Sequence, residues 1–179
     1  MTEEQCYSAL DIAAIVSCME LGCREESRIL DLIWEGETEF LAPQYKENRR
    51  KFILDVGQWI QYFYDKPIID KEYLMIQKDF SFSEGNLQEE QVFGDIYAFD
   101  LFFKNIRIRI LYGGDTCVRV KLRTILREYG YQRRSKVLLE HIKQCLDFYR
   151  LEVTLRGRMP CAIENIDLDQ ILIFRMSTD

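Results

Sequence analysis

Histidine is almost missing from this chain: His141 is the only one in 179 residues. Any Ser-His-Asp or Cys-His nucleophile would have to use it. It stands beside Glu140, and the nearest thiol, Cys145, falls on an apolar helical stripe, so no such centre is expected. No apolar run approaches the roughly 18 to 20 residues that a membrane helix needs. The longest candidate, residues 9–21, is broken by Asp11, Ser17 and Glu20. The first residues, Met-Thr-Glu-Glu, are acidic where an export signal is basic. We therefore expect a cytoplasmic protein that does not enter a membrane. None of the six cysteines (Cys6, Cys18, Cys23, Cys117, Cys145 and Cys161) stands in a C-x-x-C pair, which argues against a zinc knuckle or a dithiol redox centre and for reduced thiols. Gly113-Gly114 is followed by no G-K-[ST], and no G-x-G-x-x-G occurs, so neither phosphate-cradling motif is present.

The carboxylates most suited to a hard metal are Asp95 with Asp100, and Asp167 with Asp169. The second pair would share one face of a strand at period two. Neither pair has an evident third ligand, and a solvated role is expected for both. We expect no enzyme and no cofactor; a nuclease built from scattered acids is the one catalytic chemistry left open.

What is present is core material: 47% hydrophobic and 13% aromatic residues with 30% charged, the balance of an ordered α+β chain of one domain or two small ones. Thr2-Glu3-Glu4-Gln5 resembles a capping box, predicting a helix that runs to Leu21 and stops at Gly22. A second helix is expected over 24–35 and a third over 45–64, where Phe52, Val56, Trp59, Ile60 and Phe63 recur at helical spacing. The stripe Trp59, Tyr62, Phe63 reads as core rather than as a seat for a planar ligand. A short strand or turn is expected at 73–77, and the polar stretch 81–90 is the best linker candidate. This divides the chain into an acidic, mainly helical part, 1–80, and a basic part, 91–179, which together form one compact domain or two. Another apolar segment is expected over 92–103. Ile106, Arg107, Ile108, Arg109 and Ile110 alternate, predicting a half-buried strand after a Lys104-Asn105 turn.

The overall charge of -6 hides an asymmetry. Between Arg119 and Arg158, eleven Lys or Arg stand against four acids, a local +7; the residues before carry -10 and those after carry -3. In this basic stretch Val118, Leu122, Ile125, Leu126 and Tyr129 predict one helix ending at Gly130. Ser135 then offers an N-cap to a second, whose apolar side is Leu138, Ile142, Cys145, Leu146 and Tyr149. Leu151, Val153 and Leu155 alternate as a strand, Arg156-Gly157-Arg158 makes a tip, and residues 170–176 return as a strand.

Strand, helix, tight turn, helix and a two-stranded ribbon with a basic tip: in this order residues 106–176 resemble a winged-helix domain. The resemblance implies that the helix starting after Ser135 takes the recognition position and that Arg156 and Arg158 lie on the wing. Two features point to an anion site without it. Arg119, Arg123 and Arg127 are spaced as one helical ridge, where like charges at i,i+4 cost an isolated helix roughly 0.2 to 0.5 kcal/mol per pair. Arg133 and Arg134 stand just before a helix start, where the dipole disfavours cations and favours an anion. With Lys136, Arg156 and Arg158 these residues form the candidate nucleic-acid or anion site, with DNA or RNA as the expected partner. Two other outcomes stand beside it: the cations pair with carboxylates of the same chain or of a protein partner, making the chain an interaction or assembly module, or they are solvated surface charge. No feature sets an oligomeric state.

Overall fold

The computed structural model describes residues 6–19, 21–65, 101–128 and 133–178. The expected strand at 73–77, the linker at 81–90, the carboxylates Asp95 and Asp100 and the Thr2 capping box all lie outside the described residues. The chain divides into two compact units, Met1–Leu101 and Phe102–Asp179.

In the first unit, α1 (Ala9–Ser17) begins later and ends sooner than the sequence pattern suggests. Its start is set by Ser8, whose side chain accepts from Asp11 N while Asp11 accepts from Ser8 N, a reciprocal cap. Gly22 does not stop this helix; it is the N-cap of α2 (Cys23–Gly36). A 3-10 turn, Pro43–Tyr45, leads towards α3 (Arg49–Asp65). Helix α1 packs mainly on α3, burying Ile12, Ala13, Ile15 and Val16, and Phe52, Val56, Ile60 and Phe63 of α3 are buried too. The indole of Trp34 donates to Tyr45 O at 2.9 Å, tying α2 to the 3-10 turn. Trp59, Tyr62 and Phe63 stack edge-on and tilted, with ring centroids 5.8 to 6.4 Å apart. Phe63 is buried, as expected of core, whereas Trp59 and Tyr62 are half-buried at its margin.

The second unit holds α4 (Leu101–Tyr112) from its second residue on, β1 (Val118–Lys121), α5 (Leu122–Glu128), α6 (Lys136–Phe148), β2 (Leu151–Thr154) and β3 (Ile171–Met176). Its sheet has the order β1-β3-β2, both pairs antiparallel, with Val118 opposite Phe174 and Leu151 opposite Met176. The architecture is α+β.

Two expectations fail here, for physical reasons. Residues 106–112 are not a strand, and Lys104-Asn105 is not a turn; both belong to α4. Residues 103–108, including Lys104, Asn105 and Arg107, are all buried. A helix buried around its circumference has no polar face to impose the 3.6-residue period, so Ile-Arg-Ile-Arg-Ile imitates a strand. Arg107 is accommodated because its guanidinium donates to Tyr149 O at 2.7 Å, at the end of α6. Gly113-Gly114 consequently ends a helix. Gly113 N donates to Arg109 O, and Gly114 takes the left-handed φ of +81° that glycine tolerates.

The second failure is the single helix expected from Val118. Residues 118–121 form strand β1, paired with β3, and the helix starts only at Leu122. The alternation of buried Val118 and Val120 with exposed Arg119 and Lys121 is the strand signal. The core closes on Phe174, buried and met edge-on by Phe102 and Phe103 at 5.9 and 6.4 Å. Leu122, Ile125, Leu126, Leu138, Ile142, Cys145 and Tyr149 complete it. Ser135 caps α6 as expected, accepting from Leu138 N at 3.1 Å.

Candidate nucleic-acid interface

The structure separates the candidate cations into three groups. The first is engaged. Arg123 does not share a helical ridge with Arg119, because Arg119 stands on β1 and Arg123 on α5. Instead it forms a bidentate pair with Asp169, Nε to Oδ1 at 3.0 Å and Nη2 to Oδ2 at 2.8 Å. This contact holds the guanidinium pKa above its usual value and the Asp169 carboxyl below its own. Arg134 is engaged differently: Nη1 donates to the carbonyls of Ile163 at 3.1 Å, Glu164 at 2.7 Å and Ile166 at 2.7 Å. It fastens the β2–β3 connection to the start of α6. The same connection closes the start of α5, where Leu122 N and Arg123 N donate to the carbonyls of Gln170 and Leu168. Lys143, on the polar side of α6, pairs with Glu164, which lowers the carboxyl pKa and raises that of the amine.

The second group is exposed and has no partner among the described residues. Arg119 lies on the edge strand β1, Arg133 and Lys136 flank the N-cap of α6, and Arg156 and Arg158 sit on a 3-10 turn immediately after β2. That turn is closed by Leu155 N donating to Met159 O at 2.9 Å, with Gly157 and Arg158 both at left-handed φ, +77° and +59°. The positive φ of Arg158 is a local strain on the order of 1 kcal/mol. The third group is Arg127, which belongs to α5 but whose side chain lies outside the described residues.

The carboxylates that engage Arg123 and Lys143 come from the β2–β3 connection, not from the acidic first part of the chain. Sequence reasoning missed them because Asp169 is 46 residues from Arg123. Asp167 and Asp169 do not share a strand face. They occupy the turn before β3, where Asp167 Oδ1 accepts from Asp169 N at 2.8 Å. Among the described residues no group of three or more His, Cys, Asp or Glu is placed to hold a metal ion. His141 Nε2 lies 3.0 Å from Cys145 Sγ one turn along α6, and the thiol is buried, 1% exposed. None of the six cysteines is in a disulfide. No helix among the described residues is long and apolar enough to cross a membrane.

No family model, no curated protein and no solved structure matches this chain.

Proposed function

We propose that the second unit is a winged-helix-like module that binds nucleic acid through its backbone phosphates. The order α4, β1, α5, α6, β2, β3 supports this reading, since a winged helix usually carries three helices before the wing. The third comes from α4, the segment whose sequence imitates a strand. In this reading α6 holds the recognition position and residues 155–170 are the wing.

The observation that carries the proposal is the set of unengaged cations at two places: Arg133 and Lys136 at the start of α6, and Arg156 and Arg158 at the tip after β2. Arg134 links the two elements by holding the wing against the helix start. Exposed cations at a helix N-terminus are disfavoured by the dipole and become favourable once a phosphate takes the free N–H groups. The outward side of α6 is charge-balanced, Lys136 and Lys143 against Glu140 and Asp147. The contact is therefore to backbone, and sequence preference is weak.

Fluorescence anisotropy with labelled duplex DNA and duplex RNA, at two salt concentrations, tests this. The expected result is binding at low salt that weakens steeply as salt rises, from counterion release. A folded sample that binds neither at low salt rejects the proposal.

A second reading has its own observation. Val137, in the first turn of α6, is 78% exposed, and Met159 at the wing tip is 56% exposed. Apolar groups beside cations suit an acidic protein partner with a hydrophobic anchor. In that case Val137→Ser abolishes co-purification of such a partner, whereas nucleic-acid binding tolerates the change.

A further inference from the structure

The β2–β3 connection carries two carboxylates that occupy cations on two different helices. Glu164 pairs with Lys143 of α6, and Asp169 pairs bidentately with Arg123 of α5. We propose that this connection is a built-in competitor for phosphate: Glu164 and Asp169 hold Lys143 and Arg123 out of the nucleic-acid interface until a polyanion displaces them. The inference rests on the nucleic-acid reading above and concerns how that same site is regulated.

Three features support displacement rather than a fixed structural bond. First, both pairs are open to solvent, with side chains 61% and 54% exposed for Arg123 and Asp169, and 51% and 40% for Lys143 and Glu164. Ion pairs in that setting contribute little to folding and exchange readily. Second, the connection does not depend on them for its position. It is held by the three Arg134 bonds, by buried Ile163, and by its own carbonyls on the N–H groups of Leu122 and Arg123. The carboxylates are free to let go while the backbone stays. Third, a carboxylate bidentate on a guanidinium presents two oxygens as a phosphate does, so a phosphate takes over the same donors without rearrangement of the arginine. The consequence is a threshold. A lone phosphate competes at one pair, whereas a strand competes at both and also meets Arg133, Lys136, Arg156 and Arg158.

The test is the double variant Glu164→Gln, Asp169→Asn, compared with the unaltered protein by anisotropy on labelled duplex DNA across a salt series. The unaltered protein must open two exposed ion pairs on binding, a cost that the double variant does not carry, whereas both complexes end with the same phosphate contacts and so share their log-log salt slope to within about 0.9, the value of one contact. Affinity at low salt rises roughly 2- to 30-fold, the range expected for two exposed ion pairs that need not be opened. The control is Glu35→Gln, Glu47→Gln, two exposed acids of the first unit whose loss changes net charge equally and frees neither Arg123 nor Lys143. Adding Lys143→Ala to the double variant should cancel the part of the gain in affinity that comes from Lys143 and make the slope shallower by about 0.9. If the unaltered protein binds and the double variant matches it in affinity, the competitor idea is overturned and the nucleic-acid reading stands. An equal gain from the control also overturns it, because net charge then explains the effect. If neither protein binds at low salt while both keep their helical circular dichroism, both ideas fall together. Binding by the double variant alone supports both.

Discussion

Arg133 and Arg134 are neighbours of the same type, yet they should fail in opposite ways when removed. Nη1 of Arg134 has two N–H groups shared among three carbonyls, those of Ile163, Glu164 and Ile166. A hydrogen bond to a charged group contributes roughly 1.5 to 3 kcal/mol. Sharing weakens each bond, and the exposed stretch around Glu164 regains water, so Arg134→Ala should cost about 2 kcal/mol in total. That is roughly 30-fold in the folding equilibrium, or a fall of about 1 M in the urea midpoint. Amide exchange locates the damage. Asn165 N and Gln170 N, which donate to the carbonyls of Ala162 and Asp167, lie in the loop that Arg134 fastens and should exchange faster. Arg133→Ala removes an exposed side chain with no partner among the described residues, so stability should stay within about 0.5 kcal/mol. Its loss should appear in nucleic-acid affinity. If Arg134→Ala left midpoint and exchange unchanged and lowered only affinity, the fastening role would be wrong.

Phe174→Ala empties the centre of the second unit, beside Phe102 and Phe103, and should cost about 3 to 5 kcal/mol, seen as loss of that unit's slow-exchanging amides. Burial and then the hydrogen bond to Asp55 push the Tyr45 hydroxyl up to about 12 from 10.0. The folded state therefore keeps this proton longer than the unfolded one. Stability from this group should be intact below pH 10, fall as pH rises towards 12, and fall less in Tyr45→Phe, as followed by tryptophan fluorescence of Trp34 and Trp59. At the acid end the sign reverses. Arg123 and Lys143 hold Asp169 and Glu164 below the usual carboxylate range, so the stabilisation present at neutral pH is lost as pH falls below about 4. The urea midpoint should therefore fall slightly in that window and not between pH 5 and 8, while the β2–β3 connection, held by Arg134 and buried Ile163, keeps its amide protection.

Much of the second unit could be read from its residues. Ser135 followed by Leu138, Ile142, Cys145, Leu146 and Tyr149 announces α6, cap and buried side together. Alternation around Leu151 and Val153 announces β2, and the Arg156-Gly157-Arg158 tip announces its turn. Helices α2 and α3 also follow their patterns to within a few residues. What misled was burial without a polar face. In α4 the buried Lys104, Asn105 and Arg107 erase the helical period. At 118–121 the strand is too short to separate from the helix that follows, because Val118, Leu122, Ile125 and Leu126 happen to match a helical template as well. The arginine ridge was lost with that boundary, since Arg119 and Arg123 belong to different elements. The partners of Arg123, Arg134 and Lys143 were illegible for another reason: all lie in one loop 21 to 46 residues away in sequence, and only the fold brings them close.

The most direct test of the central claim is the salt dependence of duplex binding for the unaltered protein and for a variant with Arg133, Lys136, Arg156 and Arg158 all changed to Ala. The account predicts that the log-log slope becomes shallower by up to about 3.6, near 0.9 for each cation removed, while circular dichroism is unchanged. A slope that survives the four substitutions would contradict it, and so would an unaltered, folded protein that ignores nucleic acid even at low salt.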